Sequence, residues 1–426
     1  MGNNEIYPAP ELLMPAGSPE KMKYAINFGA DAVYAGLPLF SLRARENDFT
    51  IDKIKDNVEW VQRRGKKVYL TANIFARNLK LTPFKRHFEE LLSVVKPDAL
   101  IMSDPGLMSI AKSINPEIPI HLSVQANCMN WQAIKFWQAQ GVTRVILSRE
   151  LRLEEIQEMK QRVPEIELEA FVHGSICIAY SGRCLMSHYM SYRDANQGVC
   201  DNSCRYPYRV HAEESPSELW LEDTREPGTL YRLDEDEHGS YLFNAKDLCL
   251  IEHLKELRDA GICSFKVEGR TKSVFYAAIV AKVYRQAIDD MTHGKPFQKS
   301  LMDELDNLSH KGFHKGFFKG DPGQHGQNYS NDQSTRGSAF LGLVTQSAPT
   351  ASLQSVEPKS KIHKSDFLQA LVPDDKGISK VDVRVMDIEF NGQKVDVIHS
   401  GQTKVKIFFD RPLPEGSVLC LQNSFN

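Results

Sequence analysis

Short, nearly continuous apolar runs recur along the first 290 residues, and segments with an apolar residue every third or fourth position separate them. The runs at 11–16, 32–35, 67–73, 99–103, 120–126, 142–148, 166–173 and 264–268 predict eight strands. Continuous rather than alternating runs suit parallel strands buried on both faces. The segments between them predict amphipathic helices. Ile54, Val58 and Val61 share one helical face, as do Phe84, Phe88, Leu91, Leu92 and Val95. Eight strand–helix units predict a (β/α)8 barrel, in preference to a doubly wound open sheet.

The pattern breaks twice. Residues 174–240 carry no period and predict an insertion between the seventh and eighth strands; their second half is dense in Asp and Glu. Such a stretch predicts a solvated loop. Beyond the last barrel helix, the tail offers short runs at 339–345, 367–372, 381–390, 394–398, 405–409 and 417–421, several of them alternating apolar and polar. Asn391-Gly392 marks a type I′ hairpin between two of them. The expected organisation is a catalytic barrel over 1–300 that includes the 174–240 insertion, a connecting segment over 301–338, and a small β-barrel over 339–426. Residues 346–363 are read as a long loop inside that last domain.

At 426 residues, two or three domains are expected. An apolar content of 42% and no run near the ~18 residues of a membrane span predict a soluble, cytoplasmic protein without membrane attachment. Cytosolic cysteines are metal ligands or redox groups more often than disulfides. The net charge of −3 argues against a strongly basic surface, although Arg63, Arg64, Lys66 and Lys67, and separately Lys311, Lys315 and Lys319, form local basic runs. Neither a dinucleotide glycine fingerprint, nor a phosphate loop, nor a zinc-protease helix is present.

Four cysteines, Cys177, Cys184, Cys200 and Cys204, fall in the insertion with the spacing C-x6-C-x15-C-x3-C. Four thiolates so close in sequence can hold one metal centre. Structural zinc sites pair their ligands closely twice, whereas here one close pair occurs. The wider gaps also suit an iron–sulfur cluster, and spacing alone leaves both open. Loops that follow barrel strands open on the catalytic face, so the centre is expected over the barrel mouth.

Polar residues cluster at the predicted strand C-termini. Gln125, Asn127, His173 and Glu268 are candidate catalytic groups, and Arg43, Arg45, Arg149 and Arg270 are candidate anchors for a carboxylate or phosphate.

The segments 11–18, 29–36, 123–127, 147–151, 169–177, 182–187, 200–206 and 266–270 together resemble the collagenase-like family of unclassified peptidases numbered thirty-two. The resemblance covers roughly residues 10–330. It implies a [4Fe-4S] protein that installs a 5-hydroxyl on the wobble uridine of tRNA. The reaction it implies is linked to prephenate, a small carboxylate co-substrate, rather than to molecular oxygen. On this resemblance Cys177, Cys184 and Cys200 match cluster ligands, and the fourth is Cys204 or Cys249. A collagenase-like peptidase and a non-catalytic iron–sulfur partner protein are the competing readings. The oligomeric state is left open.

Overall fold

In the computed structural model of this chain, the residues described are 8–42, 48–177, 180, 184, 186–197, 199–205, 208–212, 219–223, 228, 230–233, 246–320, 340–347, 353–374 and 377–421. Eight parallel strands form the first body: β1 (Glu11–Ala16), β2 (Ala32–Gly36), β3 (Lys67–Ala72), β4 (Ala99–Met102), β5 (Ile120–Leu122), β6 (Val142–Ile146), β7 (Glu167–Gly174) and β8 (Ile262–Val267). Each pairs with the next, and β8 pairs with both β7 and β1, so the sheet closes into the predicted barrel.

Eight helices surround it: α1 (Pro19–Asn27), α2 (Ile51–Gln62), α3 (Leu81–Val94), α4 (Pro105–Ile114), α5 (Trp131–Ala139), α6 (Leu153–Arg162), α7 (Leu254–Asp259) and α8 (Val274–Thr292). Local sequence fixes several starts. Ser18, Thr50, Asp104, Asn130 and Ser273 each accept a hydrogen bond from a backbone N–H in the first turn. Such caps stabilise a helix by about 1 kcal/mol each. Pro19 and Pro105 occupy first-turn positions where no N–H is needed. α8 buries most of its surface, because it packs on the barrel and also meets the tail domain.

The tail folds as a second closed sheet of six antiparallel strands: β9 (Phe340–Gln346), β10 (Leu353–Pro358), β11 (Phe367–Asp374), β12 (Gly377–Phe390), β13 (Val405–Phe409) and β14 (Val418–Leu421). β10 corrects the expectation of a long loop over 346–363. Its alternating burial is that of a strand, and its partners β9 and β13 supply backbone pairing on both edges. Asn391 and Gly392 have φ of 52° and 81°, as a type I′ turn requires. Phe275 of α8 stacks on Phe340 at 4.5 Å, and Glu304 pairs with both Lys282 of α8 and Lys380 of β12. Among the described residues no helix is long and apolar enough to cross a membrane.

Candidate functional site

Inside a barrel, alternate side chains of each strand point at the axis. Here the interior is charged. Arg144 of β6 donates to Glu11 of β1 at 2.7 Å, to Glu167 at 2.7 Å and to Glu169 of β7 at 3.2 Å. Tyr69 Oη donates to Glu11 at 2.7 Å, and Ser264 Oγ donates to the same residue at 3.1 Å. Lys266 of β8 donates from Nζ to Glu169 Oε1 at 2.8 Å. Its ammonium also lies 4.2 Å from the centre of the Tyr34 ring. Burial works against the charge on Arg144, but Glu169 and Glu11 outweigh it and hold the guanidinium protonated. Burial lowers the Lys266 pKa, with Glu169 opposing. His121, packed on Tyr69, is kept neutral by burial and by Arg144.

This network leads upward into a cavity of about 170 Å³ at the C-terminal ends of the strands. Tyr34, Phe171 and Ile101 give it apolar walls; Asn73, Gln125, Arg149, Lys266, Glu268 and Arg270 give it polar ones. Cys177, Cys184, Cys200 and Cys204 line the same cavity. All eight cysteines of the chain are thiols rather than disulfides. The donor set therefore suits a thiolate-bound metal centre in type and in placement on one cavity. Among the described residues, no three His, Cys, Asp or Glu side chains are already gathered at metal-ligand spacing.

The candidate residues separate into groups. Gln125, Glu268, Arg149 and Arg270 line the cavity. Arg149 donates to the Ser175 carbonyl at 2.7 Å and lies 3.9 Å from the Phe171 ring centre, and its buried Nε has no hydrogen-bond partner among the described residues. Arg270 donates to Thr71 Oγ1 at 3.2 Å and to the Leu42 carbonyl at 2.6 Å. Asn127 is not on the cavity wall; it adopts a left-handed conformation (φ 52°) and its Oδ1 accepts from Ser148 Oγ at 3.1 Å. Arg43 and Arg45 lie outside the described residues.

His173 is not at the mouth either. Strict alternation would put it on the same side as Glu169 and Phe171, but the β7–β8 register shifts between Lys266 and Val267. Such irregularities re-aim side chains. The His173 ring is buried among Tyr276, Tyr284 and Phe313, with Nδ1 3.3 Å from Tyr284 Oη. Burial pushes its pKa down to about 3. Cys249 sits in the same wall, 5% exposed, with its sulfur 3.8 Å from Tyr284 Oη, and does not line the cavity.

The basic runs do not form an open cationic face at this mouth. Lys66 and Lys67 stand at the start of β3, the end opposite the cavity. Lys66 pairs with Asp31 at 3.0 Å, Arg63 with Glu59 at 3.3 Å, and Arg64 covers the Trp60 ring at 3.7 Å. Lys315 pairs with Glu252 at 3.9 Å and Lys319 with Glu256.

Sequence reasoning missed Lys266, Glu169, Arg144 and Glu11 as site components. The available signal was a charged residue inside an apolar strand run. Lys266 also has the same parity as Glu268, so both point inward.

Comparison with known proteins adds a lineage. The chain is 44% identical over 393 residues to tRNA hydroxylation protein P of Escherichia coli, covering 85% of this chain and 86% of that one. It is 42% identical to the Haemophilus influenzae protein of that name, with the same coverages of 85% and 86%. Against tRNA hydroxylation protein P1 of Bacillus subtilis it is 34% identical, covering 97% of this chain and 94% of that one. The family model described as peptidase family U32 matches residues 17–328, which spans the barrel from α1 onward with its cysteine-bearing insertion, and the chain therefore belongs to that family.

Proposed function

We propose that this chain is a tRNA-modifying enzyme. It converts the wobble uridine to 5-hydroxyuridine, independently of molecular oxygen, with prephenate as the small carboxylate co-substrate and an iron–sulfur cluster as cofactor. The observation that carries this reading is the convergence of four thiols, two arginines, a lysine and amide groups on one cavity at the barrel mouth. The names of the relatives, tRNA hydroxylation proteins, support the substrate.

Cys177, Cys184, Cys200 and Cys204 are the residues that would hold a [4Fe-4S] cluster. When bound, it supplies a one-electron donor and acceptor at the cavity wall. The remaining roles belong to the chain. A base paired and stacked inside a duplex cannot enter a cavity at a barrel mouth, so the uridine enters unstacked, as single-stranded loop nucleotides readily do. Asn73 and Gln125 present amide donors and acceptors suited to a uracil edge. Tyr34 and Phe171 offer ring faces. Arg149 and Arg270 are suited to carboxylates. Glu268 is the carboxylate on the cavity wall, suited to hold or accept a proton there. Asn127 orients Ser148, and His173 braces the strand end behind the cavity. Among the described residues that line the cavity there is no histidine, so no Ser–His or Cys–His pair of a peptidase is assembled there.

The test is nucleoside mass spectrometry of tRNA from a deletion strain with no redundant hydroxylase. We expect 5-hydroxyuridine and its derivatives to vanish and to return with the wild-type chain. Unchanged levels in the deletion would overturn the reading, as would iron-independent gelatin cleavage by the purified protein.

A further inference from the structure

Lys266 is the cation set deepest in the cavity wall, and neither the strand-end pattern nor the cysteine motif points to it. Its side chain is 4% exposed, and its counter-ion Glu169 is 0% exposed. A buried ammonium is costly unless it is paired. Here one pairing is shared: Glu169 gives Oε1 to Lys266 and Oε2 to Arg144. Lys266 therefore has part of one carboxylate, and the rings of Tyr34 at 4.2 Å and Phe171 at 5.7 Å lie beside it. An ammonium carries three donors, and Glu169 is the acceptor for one.

The cations of the cavity point the same way. Lys266, Arg149 and Arg270 line it together with Tyr34 and Phe171, and Glu268 is the carboxylate on its wall. A buried lysine with donors to spare, flanked by two arginines in a small cavity with aromatic walls, is a receptor for an anionic group on a compact, partly apolar molecule.

We propose that Lys266 forms the floor of a carboxylate subsite, where its ammonium receives one carboxylate of the small co-substrate, with Glu169 as counter-ion and Arg270 as a second cation. This deepens the functional reading above and rests on it for the identity of the co-substrate. The network below the lysine explains why it is not a mobile surface charge: Arg144 of β6 holds both Glu169 of β7 and Glu11 of β1.

The test is calorimetric titration of the purified, full-length protein with prephenate. Lys266→Met alone would leave Oε1 of the buried Glu169 without its partner, so the principal variant is Lys266→Met/Glu169→Gln, which removes both charges together. A charge-assisted hydrogen bond contributes about 1.5–3 kcal/mol, so the double variant should bind prephenate roughly 10- to 100-fold more weakly. Lys266→Arg, which keeps the charge, should bind more tightly than the double variant. If the double variant does not fold, Lys266→Gln against Lys266→Arg carries the same comparison. A folded charge-free variant that binds like wild type overturns the subsite, even if the wild type makes 5-hydroxyuridine. Wild-type binding that is lost in the variant, in a protein whose deletion leaves tRNA unchanged, upholds the subsite and overturns the functional reading instead.

Discussion

Arg144 reaches across the barrel from β6 to Glu11 on β1, 133 residues away in sequence, and closes a 2.7 Å hydrogen bond there. Arg144 is buried and Glu11 partly buried, and the same guanidinium also serves the fully buried Glu169. Removing one partner of such a set leaves an uncompensated charge. Arg144→Met should therefore destabilise the barrel by about 3–5 kcal/mol. Urea unfolding followed by far-UV circular dichroism measures this. A loss below 1 kcal/mol would mean that the network is hydrated and contributes little.

Cys204 and Cys249 make opposite predictions for the cluster. Cys204 lines the cavity with the other three insertion cysteines, whereas Cys249 is held in the barrel wall beside Tyr284. After anaerobic reconstitution, Cys204→Ser should lose most of its iron and visible thiolate–iron absorbance, while Cys249→Ser should keep both. The reverse pattern would transfer the fourth ligand to Cys249.

Gly174 ends β7 with φ of +104°, and a Cβ there would stand 2.3 Å from the Glu268 carbonyl oxygen. That contact with backbone cannot be relieved by a rotamer change. Gly174→Ala should push the Glu268 loop outward and cost about 1–3 kcal/mol of stability. Activity should fall further than the stability loss explains, because Glu268 lines the cavity. A variant with wild-type melting temperature and turnover would refute this.

Stability should depend on pH through the buried histidines. Burial holds His173 neutral, with its pKa pushed down to about 3, and lowers that of His121 as well. The unfolded chain protonates both near pH 6.5, so it binds protons that the folded state refuses. Their contribution is complete above about pH 6.5 and is lost as pH falls towards 3, by up to about 1.4 kcal/mol per pH unit for each histidine. The urea midpoint should drop between pH 7 and pH 5. His173→Phe should flatten that slope, and an unchanged slope would remove His173 from the account.

Much of the first body was legible along the chain. The runs at 11–16, 32–35 and 67–73 read as buried strands, and β1, β2 and β3 stand there, because both their faces are covered, which leaves a continuous apolar signature. Leu353–Pro358 was missed because its polar residues hide a strand that exists by virtue of its neighbours. Gln125 and Glu268 followed from their places at the predicted strand C-termini, but the burial of His173 did not, because a register shift between paired strands leaves no mark on either strand alone.

The sequence by itself determined that a barrel forms, that its insertion carries four thiols, and that the mouth is rich in polar groups. Periodicity, capping and residue chemistry are properties of short segments, and short segments carry them intact. The tertiary structure decided which groups meet. It alone brought Glu11, Arg144, Glu169 and Lys266 into one network, turned His173 away from the cavity, and set the cysteines and Lys266 on the wall of one cavity. Those pairings depend on barrel closure and strand register, which arise only when distant segments pack together.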